Sequence, residues 1–283
     1  MNIVKTIAKL EESLNAIKAN QKKILIPTMG SLHAGHLALV DEARRIAGPD
    51  GTVVLSLFVN PTQFDQADDL KQYPRSLERD LTLCRNHGVD IVFTPDSDVI
   101  YQPDHSVNVS ESSLSERLCG ASRPGHFDGV CTIVMKLFNL TRADIAIFGK
   151  KDYQQLAIIR RMVRDLNIPI QIKGLDTIRE ESGLALSSRN ERLSDQQRKD
   201  AARIRRAMLA AQTAYRKGAR HSSELLDIVS NTIEASELNV KIDYLELVDQ
   251  ESLHPIKTLS APAVIATAVF YGAVRLIDNI ELS

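Results

Sequence analysis

The run Thr52 to Val59, TVVLSLFV, is apolar at nearly every position, which suits neither a half-exposed strand nor an amphipathic helix. A strand without a polar face needs cover on both sides, and helices packed on both faces of a parallel sheet supply it. Lys23 to Thr28 (KILIPT), Val89 to Phe93, Asp144 to Phe148 and Ile168 to Ile172 read as companion strands. Between them, Leu37, Leu39, Val40, Ala43 and Ile46 recur at helical spacing, as do Leu77, Leu81 and Cys84. Val130, Ile133, Val134, Leu137 and Phe138 form a third such stripe, and Leu156, Ile159 and Val163 a fourth. This alternation predicts an α/β fold, a Rossmann-like parallel sheet flanked by helices, with the ligand crevice at the carboxyl ends of its strands. Pro95 to Gly125 reads as loop.

The texture changes from about Ser182. Two long helical patterns, Asp195 to Lys217 and Ser222 to Ser236, precede alternating strands at Val240 to Val248 and Ala263 to Tyr271. A smaller α+β C-terminal domain accounts for them, which suits a chain of 283 residues. The boundary is placed near residue 176, giving domains 1–176 and 177–283.

Charge and composition exclude several classes. Lys and Arg number 35 against 36 Asp and Glu, too balanced for sequence-independent binding of nucleic acid, which relies on many uncompensated cations. The longest apolar stretch, Ala263 to Tyr271, is too short to span a bilayer. Met1 to Ser13 carries Glu11 and Glu12 without an apolar segment and does not read as a secretion signal. Cys84, Cys119 and Cys131 lack CxxC spacing and read mainly as small core residues in a reducing, cytoplasmic compartment.

Pro27 to Leu39, PTMGSLHAGHLAL, sets a glycine-containing turn and two histidines between a buried strand and a helix start. Unpaired backbone N–H groups and the helix dipole favour a phosphate there. His33 and His36 are three apart, so both imidazoles face one way if the first turn is helical, while Gly35 keeps side-chain bulk away from a nucleotide. Each histidine alone would also suit capping or packing. The spacing is neither GxGxxG nor a Walker A loop. HxGH at this place resembles the signature of the nucleotidyltransferase superfamily, which transfers AMP or CMP from a nucleoside triphosphate.

Four further segments carry polar groups. FVNPTQF (58–64) puts the amides of Asn60 and Gln63 at a strand's carboxyl end, suited to hydroxyl and carboxylate groups, although Asn60-Pro61 is also a turn signal. RPGHFDGV (123–130) offers Arg123 and His126, and FGKKDYQQ (148–155) offers Lys151 as a point charge and Asp152 as an acceptor or helix cap. REESGLALSSRN (179–190) ends on Ser187, Ser188 and Arg189, able to close over polyphosphate or to serve as a solvated interdomain loop.

Together, in this order, these motifs closely resemble the pantothenate synthetase family. That resemblance implies ATP-dependent joining of pantoate to β-alanine through a pantoyl adenylate, a Rossmann-type N-terminal domain, a smaller C-terminal lid domain and a homodimer. By the same resemblance His33, His36, Lys151, Ser187, Ser188 and Arg189 handle ATP phosphates, and Met29, Gly149 and Asp152 the adenosine side. Gln63 and Gln155 hold pantoate, Asn60 and Arg123 are further active-site positions, and Asp80 corresponds to a position associated with Mg2+. Lys150, Ser182 and Leu186 depart from the family's usual Glu, Asp and Met. Two rivals remain open at this point: a nucleotidyltransferase acting on a phosphate ester, and a non-catalytic nucleotide-binding module.

Overall fold

The computed structural model describes residues 1–65, 67–74 and 76–283. The chain divides into two compact units. The first comprises Met1–Ser112, Arg123–Lys150 and Ile158–Asp176, and the second Ser113–Ser122, Lys151–Ala157 and Thr177–Ser283.

The first unit is built on a parallel sheet of β1 (Asn2–Val4), β2 (Lys23–Thr28), β3 (Thr52–Leu57), β4 (Ile91–Phe93), β5 (Ile145–Gly149) and β6 (Gln171–Leu175), in the order β1-β4-β3-β2-β5-β6. Every residue of β3 is buried, as its apolar run demands. Its helices are α1 (Ile7–Asn15), α2 (Ala34–Ala47), α3 (Ala67–Gln72), α4 (Leu77–Asn86), the short α5 (Ser97–Ile100) and α7 (His126–Thr141). One core cluster brings Leu39, Val40 and Ala43 of α2 and Leu81 and Cys84 of α4 onto Ile24, Ile26, Val53 and Leu55 of the sheet.

Strand order reverses at β2. The chain moves from β2 to β3 and β4 on one side, then returns to lay β5 and β6 on the other. The carboxyl ends of β2 and β5, paired through Ile24↔Ile145 and Leu25↔Ala146, therefore form the switch point at which open α/β sheets bind ligands. β2 feeds the HxGH segment and β5 feeds FGKKD.

The second unit contains α6 (Leu118–Ser122), the first residues of α8 (Tyr153–Asp165), α9 (Asp195–Ala201), α10 (Arg203–Arg216) and α11 (Ser222–Glu234). An antiparallel sheet of β7 (Val240–Asp249), β8 (Ala263–Tyr271) and β9 (Val274–Leu282) completes it. Ile204, Ala207, Met208 and Ala211 of α10 and Leu225, Val229 and Ile233 of α11 share its core with Ile265, Val269 and Tyr271 of β8.

Five details differ from the sequence reading. The stretch Pro95 to Gly125, read as loop, holds the short helices α5 and α6. β1 adds a sixth strand at the sheet edge. β6 begins at Gln171 because Asn167 (φ 52°) and Ile168, whose N–H reaches the Val163 carbonyl, form the exit turn of α8. The single helix expected over Asp195 to Lys217 breaks at Ala202, where the Arg203 guanidinium folds back onto Asp200 and reaches the Thr232 carbonyl. β9 is a further addition, and it returns from β8 through a turn in which Gly272 has φ 60°.

Candidate active site

At the end of β2 the backbone enters the left-handed region twice, at Gly30 (φ 83°) and Ser31 (φ 52°). Ser31 carries a Cβ, so the turn needs an external hold. Asp80 of α4 supplies it: its Oδ2 accepts the Ser31 N–H at 2.8 Å and its Oδ1 the Leu32 N–H at 2.9 Å. A Cβ on Gly30 would sit 3.1 Å from Asp80 Oδ2, so glycine also lets the carboxylate approach.

Asp80 is 2% exposed, and both its oxygens serve this loop. It does not fit a magnesium ligand. Among the described residues no group of three or more His, Cys, Asp or Glu side chains gathers as a metal site.

The loop delivers His33 as the N-cap of α2. His33 Nδ1 accepts the Gly35 N–H at 3.1 Å, and His36 Nδ1 accepts the His33 N–H at 3.4 Å, a reciprocal capping box. The ring centroids are 4.1 Å apart, so the expected common facing holds. With both Nδ1 atoms accepting, the proton of each neutral imidazole sits on Nε2, which makes both rings donors. The phosphate cradle expected from backbone N–H groups is thus altered: two of those groups bond the histidines, and the imidazoles become the donors presented by this helix start.

Beside the loop, Pro61–Gln63 forms one 3-10 turn with Asn60 as its N-cap. Asn60 is 1% exposed, and its Nδ2 donates to the Gly129 carbonyl at 3.0 Å and to Gln63 Oε1 at 3.1 Å. Gln63 Nε2 faces Met29 Sδ at 3.2 Å, joining two residues that the sequence left 34 apart. The Gln63 carbonyl accepts from His126 Nδ1 at 2.7 Å and from Arg123 Nη2 at 3.2 Å. Arg123 also pairs with Asp65 Oδ1 at 3.2 Å, so this guanidinium holds the turn in addition to any anion contact.

At the end of β5, Gly149 leads to Lys150 and Lys151. Lys150 Nζ lies 2.9 Å from Asp176 Oδ1, which balances the charge that departs from the family pattern. Within the second unit, Lys151 Nζ lies 3.3 Å from Asp152 Oδ1, and the Lys151 carbonyl accepts from Asn279 Nδ2 at 3.0 Å. The two neighbouring glutamines differ in kind. Gln154 is buried and bonds the Cys119 N–H and the Leu114 and Arg117 carbonyls, a structural role. Gln155 is half-buried, and its side-chain amide has no hydrogen bond to any described residue.

Ser187 caps the 3-10 turn Ser188–Arg192 by accepting the Arg189 N–H at 3.2 Å. Asn190, 3% exposed, anchors the turn through Glu180 Oε1 and the Ala185 carbonyl, both at 3.0 Å. Arg179 forms a two-pronged pair with Asp278 at 2.7 and 2.8 Å and also reaches the Gly183 carbonyl. The base of this segment is therefore pinned while Ser187, Ser188 and Arg189 stay partly exposed.

Two of the three thiols, those of Cys84 and Cys131, are poor nucleophiles. Burial pushes Cys84 up to about 11 and Cys131 up to about 12, in each case with nearby carboxylates adding to the shift.

Sequence reasoning singled out polar groups on these turns and missed several of the residues that hold the turns in place. Tyr101, Thr62 and Gly129 all bond or abut the Asn60–Gln63 turn; Thr62 and Gly129 lie inside quoted motifs, whereas Tyr101, 41 residues from Asn60, carries no local signal.

Residues 2–281 match the pantoate-beta-alanine ligase family. The pantothenate synthetase of Akkermansia muciniphila is 52% identical over 265 residues, 92% of each chain, and that of Pelobacter propionicus 47% identical over 100% of this chain and 98% of its own. The crystal structure of pantothenate synthetase from Thermus thermophilus superposes with a TM-score of 0.92 at 43% identity, covering 100% of this chain and 99% of that one. The Francisella tularensis pantoate-beta-alanine ligase, complexed with beta-gamma ATP and beta-alanine, gives 0.80 at 31% identity, covering 99% and 97%. A match of this extent, in sequence and in fold alike, places the chain in the pantoate–β-alanine ligase family, the pantothenate synthetases.

Proposed function

We propose that this chain condenses pantoate with β-alanine at the expense of ATP, through a pantoyl adenylate, releasing AMP and pyrophosphate. The observation that carries the reading is the reciprocal capping of His33 and His36, which sets both ring protons on Nε2 at the sheet's switch point. Two preorganised N–H donors stabilise charge that builds on phosphate oxygens as a transition state forms.

In the first step a pantoate carboxylate oxygen attacks the α-phosphorus, the bond to the bridging oxygen of the β-phosphate breaks, and pyrophosphate leaves. A carboxylate is already ionised at neutral pH, so positioning and electrostatics carry this step without a general base. His33, His36, Lys151, Ser187, Ser188 and Arg189 are assigned to the phosphates, and Met29, Gly149 and Asp152 to the adenosine. Gln63 and Gln155 are assigned to pantoate. Asn60 and Arg123 support Gln63 through its side chain and its carbonyl. Magnesium would enter bound to ATP, as part of the nucleotide substrate.

In the second step the free amine of β-alanine attacks the acyl carbon, the bond to the AMP oxygen breaks, and the amine's surplus proton passes to solvent. The raised thiols of Cys84 and Cys131 fit a route in which neither of them forms an acyl-enzyme. No helix of the described residues is long and apolar enough to cross a membrane. A homodimer in the cytoplasm completes the proposal, with sedimentation as the check on the dimer.

AMP release measured across several hydroxy acids and amines tests the reading. AMP should form only with pantoate and β-alanine together. A dinucleotide-like product from a phosphate ester, or no turnover at all, would contradict it.

A further inference from the structure

Asn60 is enclosed by bonding partners on both ends of its amide. Its nitrogen gives its two hydrogens to the Gly129 carbonyl and to Gln63 Oε1. Its oxygen receives two hydroxyls, Tyr101 Oη at 2.8 Å and Thr62 Oγ1 at 2.9 Å. An amide oxygen has two lone pairs and an amide nitrogen two hydrogens, so all four bonding positions are filled. Because Asn60 can offer Gln63 only a donor, Gln63 must turn its oxygen inward and its Nε2 outward. Among the described residues Nε2 meets only a thioether, Met29 Sδ at 3.2 Å, a weak acceptor that a substrate oxygen displaces readily.

We infer that Tyr101, with Thr62 as its partner, is a positioning residue for the acid substrate: the two hydroxyls orient the Asn60 amide, and through it fix Gln63 as a donor. The inference rests on the assignment of Gln63 to pantoate and adds what determines which face of that amide the acid meets. It also assigns specificity, since the acid must bring an acceptor, a carboxylate or hydroxyl oxygen, to this place. Tyr101 is suited to the task. Burial raises its phenol above the ordinary range, so it stays protonated, and its ring is set by Phe58 (centroids 6.3 Å) and His105 (4.9 Å). Lys136 Nζ lies 5.4 Å above the ring centroid. Sequence spacing conceals the relay, because Tyr101 is 41 residues from Asn60.

Steady-state kinetics of four variants test this, with thermal melting as the check on folding. Tyr101→Phe keeps the ring and Thr62→Val keeps the branched shape, so each removes one hydroxyl. Either remaining hydroxyl still fills part of the Asn60 oxygen, and each single variant should raise the KM for pantoate by about twofold. The double variant leaves that buried oxygen without a donor and should raise it by about tenfold or more, beyond the product of the singles. The KM for ATP should stay within about twofold of wild type, a split that general loss of structure would not produce. Thr62→Ser, which keeps the hydroxyl and removes only the methyl group, should behave as wild type.

Gln63→Ala separates the two levels of the argument. If it raises the KM for pantoate while the double variant does not, the relay is wrong and the assignment of Gln63 stands. If Gln63→Ala leaves that KM unchanged, the assignment falls and the relay with it. Should the double variant fail to fold, unchanged pantoate KM in both single variants overturns the inference.

Discussion

Replacing Asp80 with Asn distinguishes a loop anchor from a metal ligand. The carboxylate is 2% exposed and takes the Ser31 and Leu32 N–H groups on separate oxygens, at 2.8 and 2.9 Å. Asparagine keeps the shape but has one oxygen, so its NH2 must face one of those backbone donors. One charge-assisted bond is lost and a donor is buried against a donor, a cost of about 2–4 kcal/mol. At a urea slope of about 2–3 kcal/mol/M the unfolding midpoint should fall by about 1 M. Because the chain has no Trp, far-UV circular dichroism is the suitable probe. The loss should be the same in excess chelator and in excess magnesium, and kcat should fall with it because the turn delivers His33. A variant that unfolds at the wild-type midpoint while needing more magnesium for activity would refute the anchoring argument and restore Asp80 as a metal ligand.

Gly129→Ala would place a Cβ 2.5 Å from the Thr62 oxygen and 2.7 Å from the Gln63 nitrogen, both backbone atoms. The turn must shift by about 1 Å, and a misplacement of that size costs about 100-fold in kcat/KM for pantoate. Steady-state kinetics should show that loss with little change in ATP affinity, and wild-type kinetics would deny the close approach any role. Glu42 is held down to about 2 by hydrogen bonds from Arg45 and Lys173. Its folded value lies below the unfolded value near 4.5, so its contribution to stability is present above pH 4.5 and is lost as pH falls towards 2. In denaturation curves, wild type should exceed Glu42→Gln at pH 6, with the gap closing through that window.

The strands of the sheet interior were legible because burial on both faces demands unbroken apolar runs, and β2 and β3 begin where such runs begin. β1 was not, since Asn2–Val4 is too short to show a period. β9 carries one: Val274, Leu276, Asp278, Ile280 and Leu282 are all buried at alternate positions. The pattern was masked by Asp278, which looks polar in sequence but is buried as the partner of Arg179. The site divides in the same way. HAGH, FVNPTQF and SSRN could be read locally, because turn chemistry and paired side chains lie close in the chain. What holds them could not, since Asp80 reaches back 49 residues to Ser31 and no spacing rule announces such a bond.

Exchange of labelled pyrophosphate into ATP, in the presence of pantoate and the absence of β-alanine, probes the paired imidazoles most directly. The wild-type chain should exchange only when the acid is present. His36→Ala, with an unchanged melting curve, should lose about 100-fold or more, the scale of removing one preorganised transition-state donor. Exchange at the wild-type rate in that variant would contradict the role given to the α2 imidazoles.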